Sequence, residues 1–327
     1  MTGVAKASRR SLDLTEQDQE LTDELGEILA GLCRPQKTIS PKYFYDERGS
    51  QLFDRICELP EYYLTRTELA IMNAFAGEMA TLIGPQASLI EFGSGSSLKI
   101  RILLGHVDKL AAYVPVDISK EHLVLAADAI AADFPGVEVL PVAADFTHPF
   151  DLPGPRMMPL RNIVYFPGST IGNFSPAGAH DLLSVMHREA GVNGGLLIGL
   201  DLQKDKAVLE RAYNDESGIT AAFNLNVLRR LNREFGADFD LDSYGHIAVY
   251  NEVAGRVEMY LVSACAQTVN IAGRRLRVAE SEKILTEHSH KYTLAGFAAT
   301  AAGAGFRLEQ SWTDQDEMFA VCYCTRQ

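Results

Sequence analysis

Short apolar runs that alternate with helix-patterned segments make up the middle of the chain. The runs cover residues 89–92, 111–116, 137–142, 162–166 and 194–201. Each is bounded by glycine, proline or polar residues, which is typical of buried strands. The segments between them place apolar residues at helical spacing, as in Leu182, Leu183 and Met186. Strands that alternate with helices predict an α/β fold with a doubly wound, Rossmann-like sheet.

The pattern changes after residue 201. A helical pattern covers residues 205–235, and strand-like runs then follow one another without helices between them. These runs cover residues 247–250, 257–262 and 276–278. Such a change predicts an inserted α+β unit. A helix at 291–302 and strands at 307–312 and 318–324 are expected to complete the sheet.

The chain before the first strand is polar at its start and rich in aromatic residues further on. Residues 1–18 mix charges and predict a loose tail, and apolar residues then recur at helical spacing from Leu21 to Leu32. Rings are dense over residues 43–53, and a helix is expected to begin at Thr67. The rings either pack an N-terminal cap against the sheet or line a ligand site, and the sequence leaves both interpretations open.

The first apolar run breaks into a glycine turn, Gly93-Ser94-Gly95, and a helical pattern resumes at Lys99. Glycines let the backbone approach a ligand where a Cβ would collide, and the following helix offers unpaired N–H groups. A strand, such a turn and a helix start are typical of a nucleotide site in an α/β sheet. Leu98 stands where the dinucleotide fingerprint has its third glycine, so a pyrophosphate ligand is disfavoured.

Acidic side chains accompany the ends of three successive runs. Glu91 comes just before the glycines, Asp117 ends the second run, and Asp145 follows the third run, next to Phe146. A carboxylate accepts hydrogen bonds from a ribose diol or an adenine amino group, and an aromatic ring can stack on adenine. This ordered set resembles the S-adenosylmethionine-dependent methyltransferases, and it predicts S-adenosyl-L-methionine as the cofactor.

Charge and cysteine content narrow the class of protein. With 43 acidic and 30 basic side chains the formal net charge is -13, which on average repels nucleic acid and anionic membranes. No run is long enough for a membrane span, and the N-terminus lacks an apolar signal core. Five cysteines without a C-x-x-C pair fit reduced thiols. We expect a cytoplasmic monomer without a metal site, a nucleic-acid partner or a membrane partner.

Longer motifs make the resemblance more specific. They cover residues 61–68 (EYYLTRTE), 168–173 (GSTIGN), 211–215 (RAYND), 221–224 (AAFN) and 285–289 (LTEHS). In this order they resemble the histidine-specific Nα-methyltransferases of ergothioneine biosynthesis. That family transfers three methyl groups from S-adenosylmethionine to L-histidine and produces Nα,Nα,Nα-trimethylhistidine, which is called hercynine.

The resemblance implies a domain organisation and a set of site residues. A substrate-binding domain would cover residues 19–62 and 204–289, and a methyltransferase domain would cover 63–203 and 290–327. The cofactor would be bound by Gly93, Gly95, Lys99, Asp117, Asp145 and Phe146. The amino and carboxylate groups of L-histidine would be held by Tyr62, Gly168, Asn173 and Tyr213, with Tyr62 and Asn173 in the catalytic positions. The imidazole would be bound by Glu287 and Ser289 and flanked by Tyr45 and Phe53.

The residue types at 287 and 289 fit an imidazole independently of the resemblance. Side chains two residues apart on an extended segment point the same way, so Glu287 and Ser289 can meet both ring nitrogens. A substrate without the ring N–H would leave the buried carboxylate unpaired.

Methyl transfer also needs a neutral amine, so a proton has to leave before each transfer, through a water or Tyr62.

Two other functions stay open. One is a related enzyme that methylates another amino acid, such as tryptophan, or that stops at a dimethylated product. An indole has a single N–H and would leave Glu287 or Ser289 without a partner, which favours histidine. The other is a non-catalytic Rossmann-like binding protein that has kept the cofactor turn, which the intact motifs in both predicted domains disfavour.

Overall fold

The computed structural model describes residues 23–95 and 97–327. They form two compact units. The first unit comprises the described part of Met1–Ile56 together with Tyr213–Val249 and Glu258–Glu287, and the second comprises Cys57–Ala212, Tyr250–Val257 and His288–Gln327. The predicted tail at residues 1–18 lies outside the described residues. The predicted division into substrate-binding and methyltransferase domains stays a prediction, and the compact units differ from it at 57–62, 204–212, 250–257 and 288–289.

The described residues contain strands and helices throughout. The strands are β1 Lys37–Thr38, β2 Ala87–Phe92, β3 Ala112–Asp117, β4 Val142–Ala143, β5 Arg161–Phe166, β6 Gly195–Asp201, β7 Tyr244–Asn251, β8 Arg256–Ser263, β9 Gln267–Ile271, β10 Arg274–Val278, β11 Lys283–His290, β12 Phe306–Thr313 and β13 Phe319–Arg326. The helices are α1 over residues 23–32, α2 Glu47–Cys57, α3 Tyr63–Ile83, α4 Leu98–Leu104, α5 Lys120–Asp133, α6 Pro176–Ala190, α7 Lys206–Tyr213, α8 Ile219–Phe235 and α9 Leu294–Gly303. Among the described residues, no helix combines the length and the apolar character that crossing a membrane requires.

The second unit is built on a sheet with the strand order β12-β13-β6-β5-β2-β3-β4. Strand β2 pairs in parallel with β3 and β5, and β5 pairs in parallel with β6, whereas β13 runs antiparallel to β6 and β12. Every residue of β2 and β6 is buried, as expected of strands covered on both faces. Apolar side chains of α6 and α9 pack in the same core. This arrangement confirms the predicted Rossmann-like α/β sheet.

The strand order reverses direction between β2 and β5. From β2 the chain proceeds outward to β3 and β4, and from β5 it proceeds the other way to β6. In open α/β sheets, ligands bind outside the carboxyl ends of the strands at such a reversal. The glycine turn at Gly93 follows β2, and the turn at Gly168 follows β5. The topology therefore brings both predicted site turns to the same edge of the sheet.

The first unit combines helices with a separate sheet of strand order β1-β11-β8-β7, in which β1 is parallel to β11. Strands β9 and β10 form a hairpin whose turn residues, Ala272 and Gly273, have φ of 47° and 77°. Positive φ at both central positions belongs to the turns whose twist matches the flanking strands. Helix α8 buries Phe223 and Leu231. The mixture of helices and strands in this unit confirms the predicted α+β character of the discontinuous part of the fold.

Helix α3 begins earlier than the sequence pattern predicts. The pattern places the helix start at Thr67, whereas α3 begins at Tyr63 and Tyr62 occupies the N-cap position. Tyr63 and Leu64 are buried together with Glu68, because residues four apart share a helix face. The predicted start is wrong because the inward face continues through the polar Thr65-Arg66-Thr67 segment.

Two other predicted elements are also corrected. The third strand is predicted over residues 137–142, but β4 covers only Val142–Ala143, and a single bridge joins Val139 to Tyr113. Pro141 has no N–H to donate to a ladder, which shortens this edge strand. The helical pattern over 205–235 is two helices rather than one, because Asp215 accepts from the N–H groups of Ile219 and Thr220 and starts α8 as a separate helix.

Candidate active site

The glycine turn between β2 and α4 is held by the neighbouring strand. The N–H of Gly93 donates to the Val116 carbonyl at 2.8 Å. Gly93 and Gly95 have φ of 73° and 40°, a backbone region that favours glycine. Among the described residues, a Cβ added to either glycine would meet no atom outside its chain neighbours closer than 3.8 Å. The turn is therefore an open, backbone-lined cradle, which fits a nucleoside ligand.

Asp117 lies at the carboxyl end of β3 and is half-buried. Its Oδ1 accepts from the N–H of Ser119 at 2.9 Å. Burial raises the pKa of Asp117, and backbone hydrogen bonds from Ser119 and Gly95 oppose that rise. Gly95 belongs to the glycine turn, so the turn and this carboxylate interact. An acceptor-only group fixed beside the cradle suits the two hydroxyls of a ribose.

Asp145 and Phe146 follow β4 and are each partly buried. Asp145 Oδ1 accepts from the backbone N–H of Thr147 at 2.9 Å and from the Thr147 hydroxyl at 2.6 Å. The Phe146 ring stacks on Phe92 with centroids 5.4 Å apart and meets the edge of Phe166 at 5.7 Å. Phe92 ends the strand that leads into the glycine turn. The ring of Phe146 is thus fixed next to the cradle, where it can stack on a base.

Glu68 joins the two turns that flank the strand reversal. Its side chain is buried, Oε2 lies 2.5 Å from Lys99 Nζ, and both oxygens accept from the N–H of Gly168 at 3.0 Å. Lys99 belongs to α4, directly after the glycine turn. Gly199 on β6 leaves room for this carboxylate, because a Cβ there would lie 2.3 Å from Glu68 Oε1. The predicted role of Lys99 in binding the cofactor stays a prediction, and in this structure its ammonium is paired with Glu68.

Glu91 differs from the other carboxyl groups near the turn. It is buried at the end of β2, and the hydroxyl of Tyr113 donates to it. Burial raises the pKa of Glu91 to about 8, although Tyr113 and Lys99 lower it in part. At neutral pH this side chain is therefore mainly a neutral acid. Glu91 therefore supports the end of β2 next to the glycine turn and does not act as a charged ligand.

Within the second unit, the turn after β5 contacts the end of β6 on one side and the end of β11 on the other. Gly168 and Ser169 both have positive φ, 78° and 57°, and a 3-10 helix follows at Thr170–Asn173. Ser169 Oγ accepts from the N–H of Asp201 at 2.9 Å. Gly172 packs so closely on the end of β11 that a Cβ would lie 2.8 Å from the His290 carbonyl oxygen. Asn173, at the end of the 3-10 helix, is partly exposed.

A buried ionic cluster surrounds Asp201, whose side chain is fully buried at the end of β6. Tyr63 donates to its two oxygens at 2.7 and 2.9 Å. Lys204 Nζ lies 2.5 Å from Oδ1, and Lys291 Nζ lies 2.7 Å from Oδ2. Lys291 also donates to Ser289 Oγ at 2.7 Å. Burial lowers the pKa of Lys204, and Asp201 opposes that shift.

Tyr213 lies in the first unit, where the RAYND and AAFN motifs hold its backbone. Asn224 Nδ2 donates to the Tyr260 carbonyl and to His246 Nδ1, at 3.1 and 2.8 Å. An accepting Nδ1 leaves the proton of the neutral ring on Nε2, which donates to the Tyr213 carbonyl at 2.8 Å. Asn214 exchanges two hydrogen bonds with Ala248, both at 2.9 Å. The two motifs therefore fix the turn that presents Tyr213.

The aromatic residues near the N-terminus form one cluster within the first unit. Phe44 and Phe223 are buried with ring centroids 4.5 Å apart. Tyr45 and Phe53 meet edge to face at 5.7 Å, and Tyr45 keeps 39% of its surface exposed. Packing therefore accounts for Phe44 and Phe223. A ligand-flanking role for Tyr45 and Phe53 stays a prediction.

The remaining predicted substrate residues lie on α3 and β11. Tyr62 is buried at the N-cap of α3. Glu287 and Ser289 alternate with His288 along β11, so the extended geometry that their shared direction requires is present. Ser289 is buried and Glu287 is half-buried.

Three charged residues of the site were not identified from the sequence. Glu68 closes the EYYLTRTE motif, and its position among buried residues of a helix face was the available signal. Asp201 ends an apolar strand, which is the signal that identified Asp117. Lys291 carries no comparable signal, because a lysine after a strand is usually a solvated side chain.

Comparison with known proteins identifies one family and several relatives of this chain. A family model described as "Histidine-specific methyltransferase, SAM-dependent" matches residues 24–326. The histidine N-alpha-methyltransferase of Mycolicibacterium smegmatis is 41% identical over 306 residues, covering 92% of this chain and 94% of that protein. The enzyme of the same name from Mycobacterium tuberculosis is 39% identical over 301 residues, covering 90% and 92%. Ergothioneine biosynthesis protein 1 of Neurospora crassa is 32% identical over 283 residues, covering 84% of this chain and 31% of that protein.

Proposed function

Because the chain belongs to the histidine-specific, S-adenosylmethionine-dependent methyltransferase family, we propose that it methylates the α-amino nitrogen of L-histidine. The product is Nα,Nα,Nα-trimethylhistidine, hercynine, an intermediate of ergothioneine biosynthesis. The observation that carries this proposal is the family match over residues 24–326. Relatives of the same length named histidine N-alpha-methyltransferase add to it.

The residues around the glycine turn are suited to hold S-adenosylmethionine. When bound, this cofactor supplies an electrophilic methyl group on sulfur. We assign Asp117 to the ribose hydroxyls, Asp145 to the adenine amino group and Phe146 to the adenine face. Gly93 and Gly95 keep the cradle open, and Lys99 supports the turn from α4. This set combines acceptors, a stacking ring and backbone without Cβ atoms, as such a ligand requires.

The residues assigned to the amino acid backbone are Tyr62, Gly168, Asn173 and Tyr213. Tyr62 and Asn173 are the catalytic residues of this proposal, because they orient the α-amino nitrogen. An α-amino group is largely protonated at neutral pH, so its proton has to leave before each transfer. We assign that step to the Tyr62 hydroxyl or to a water beside it. Orientation and exclusion of solvent are then the main contributions of the protein to the rate.

Glu287 and Ser289 are assigned to the imidazole, with Tyr45 and Phe53 beside the ring. A carboxylate accepts the ring N–H, and a hydroxyl can donate to the other nitrogen.

A cytoplasmic location and a monomeric state stay predictions, the first from the reduced thiols expected of five scattered cysteines.

Replacing Glu287 by alanine should weaken L-histidine binding by about 1.5–3 kcal/mol, which is the usual worth of a hydrogen bond to a charged group. The expected signature is a raised KM for histidine, measured in a methyl-transfer assay, with the affinity for the cofactor unchanged. Glu280→Ala is the matched control, because Glu280 is an exposed glutamate of the same unit. An unchanged KM for histidine in the Glu287 variant would contradict the role assigned to this carboxylate.

A further inference from the structure

The Ser289 hydroxyl oxygen accepts a hydrogen bond from a charged side chain, Lys291. Lys291 Nζ donates to Ser289 Oγ at 2.7 Å, and the same ammonium lies 2.7 Å from Asp201 Oδ2. The side chains of Lys291 and Asp201 are both fully buried. An ammonium carries donors and no acceptor. In this contact Ser289 Oγ is therefore the acceptor, and its hydroxyl proton is directed away from Lys291.

The cluster holds Lys291 in this position. Lys204 also lies 2.5 Å from the Asp201 carboxylate, and Tyr63 donates to both of its oxygens. Two ammonium groups thus share one carboxylate. A buried charge that leaves its partner loses far more than it gains, so Lys291 cannot swing away from Asp201 at small cost. The titratable groups that face Lys291 include Asp201, Lys204, Tyr250 and Tyr292.

A cationic cluster behind Ser289 has a consequence for the ring that this hydroxyl meets. An imidazolium would bring a second positive charge next to Lys291, with N–H groups at both ring nitrogens. A neutral imidazole brings no charge and has one acceptor nitrogen, to which the Ser289 O–H can donate. The contribution of Lys291 favours the neutral ring, because like charges at close range repel more strongly in a buried site than in water, and it opposes the Glu287 carboxylate, which on its own would favour the imidazolium.

We propose that Lys291, held by Asp201, is a positioning residue that makes Ser289 a hydrogen-bond donor and thereby selects the neutral imidazole of the substrate. This inference rests on the proposed function, because it assigns a task to the predicted imidazole-binding serine. Lys291 acts only through Ser289. The selectivity therefore depends on the direction of one hydrogen bond rather than on the shape of the pocket.

The test compares two substrates in wild-type protein and in Lys291→Met. One substrate is L-histidine, and the other is pyrrolylalanine, which keeps a ring N–H but has C–H in place of the acceptor nitrogen. We expect wild-type protein to prefer histidine in kcat/KM, and Lys291→Met and Ser289→Ala each to reduce that preference about tenfold, the usual worth of one hydrogen bond. The double variant should be no worse than Ser289→Ala, because both changes remove the same interaction.

A pH profile gives a second readout that a purely structural role would not move. In wild-type protein, protonation of the imidazole near pH 6.5 should add an acid limb to kcat/KM for histidine, below the fall that protonation of the α-amino group already causes. In Lys291→Met the Ser289 oxygen no longer accepts from Lys291 and can accept from an imidazolium, so this acid limb should move to lower pH. Lys206→Met is the matched control, because Lys206 is a half-exposed lysine of the same unit that lies 3.8 Å from Glu210 and outside the Asp201 cluster. It should keep both the substrate preference and the acid limb.

The proposal is overturned if Lys291→Met keeps the wild-type preference and acid limb, or if Lys206→Met changes them equally. Full additivity between Lys291→Met and Ser289→Ala would also overturn it. Should Lys291→Met fail to fold, the triple variant Asp201→Asn/Lys204→Met/Lys291→Met removes all three charges of the cluster, and the same outcomes apply. A wild-type protein that does not methylate histidine would instead refute the proposed function, which separates the two failures.

Discussion

Replacing Glu68 by alanine is expected to lower the free energy of unfolding by about 3 kcal/mol. The change removes a buried carboxylate that pairs with Lys99 at 2.5 Å and accepts from the Gly168 N–H with both oxygens. Lys99 and Gly168 are left without this partner. The estimate lies at the lower end for a broken buried pair, because the Lys99 side chain is 17% exposed and regains some solvation.

Urea unfolding of the protein without cofactor measures this effect. The double variant Glu68→Gln/Lys99→Met should lose less stability than Glu68→Ala, since removing both charges leaves none uncompensated. The control is Arg156→Met, which breaks an exposed pair with Glu138, where the arginine is 92% exposed, and should change stability by less than about 0.5 kcal/mol. A Glu68→Ala variant as stable as Arg156→Met would mean that Glu68 does not join the two turns.

Replacing Asp117 by alanine should raise the dissociation constant for S-adenosylhomocysteine about 100-fold. Two ribose hydroxyls would each lose a hydrogen bond to a charged group, at about 1.5 kcal/mol apiece, and about 3 kcal/mol corresponds to two powers of ten in affinity. Titration calorimetry measures the change. Asp145→Ala, which would remove one hydrogen bond to the adenine, should cost about tenfold.

Asp181→Ala is the control for this series, because the Asp181 carboxylate is an exposed group of α6, with 84% of its side chain accessible. It should leave the affinity for the cofactor unchanged. A selective loss of histidine affinity in Asp117→Ala, with cofactor binding intact, would mean that the end of β3 has been assigned to the wrong ligand.

The parts of the fold that local patterns encode could be predicted from the sequence. Strands β2, β3, β5 and β6 are continuous apolar runs, and the glycine turn follows the first of them. Asp117 could be found because a charged residue directly after a buried strand lies at the edge where ligands bind. The boundaries of the helices and strands were harder to predict from the sequence. The break between α7 and α8 depends on side-chain capping by Asp215, which periodicity alone does not reveal.

The charged framework of the site could not be predicted because its contacts join distant parts of the chain. Glu68 and Gly168 are 100 residues apart, and Tyr63 and Asp201 are 138 apart. The sequence spacing around Glu68 does not indicate Gly168 as its partner, and the spacing around Tyr63 does not indicate Asp201. Lys291 is two residues from Ser289, but its direction toward Asp201 follows from how β11 ends beside β6, where Tyr292 N–H donates to the Asp201 carbonyl at 2.9 Å.

The most direct test of the account is mass spectrometry after the protein is incubated with S-adenosylmethionine and an equimolar mixture of the common amino acids. The account predicts that histidine alone gains methyl groups, that all of them are on the α-amino nitrogen, and that the trimethylated form accumulates. Methylation of tryptophan or another amino acid in place of histidine would contradict it, as would binding of the cofactor without any turnover.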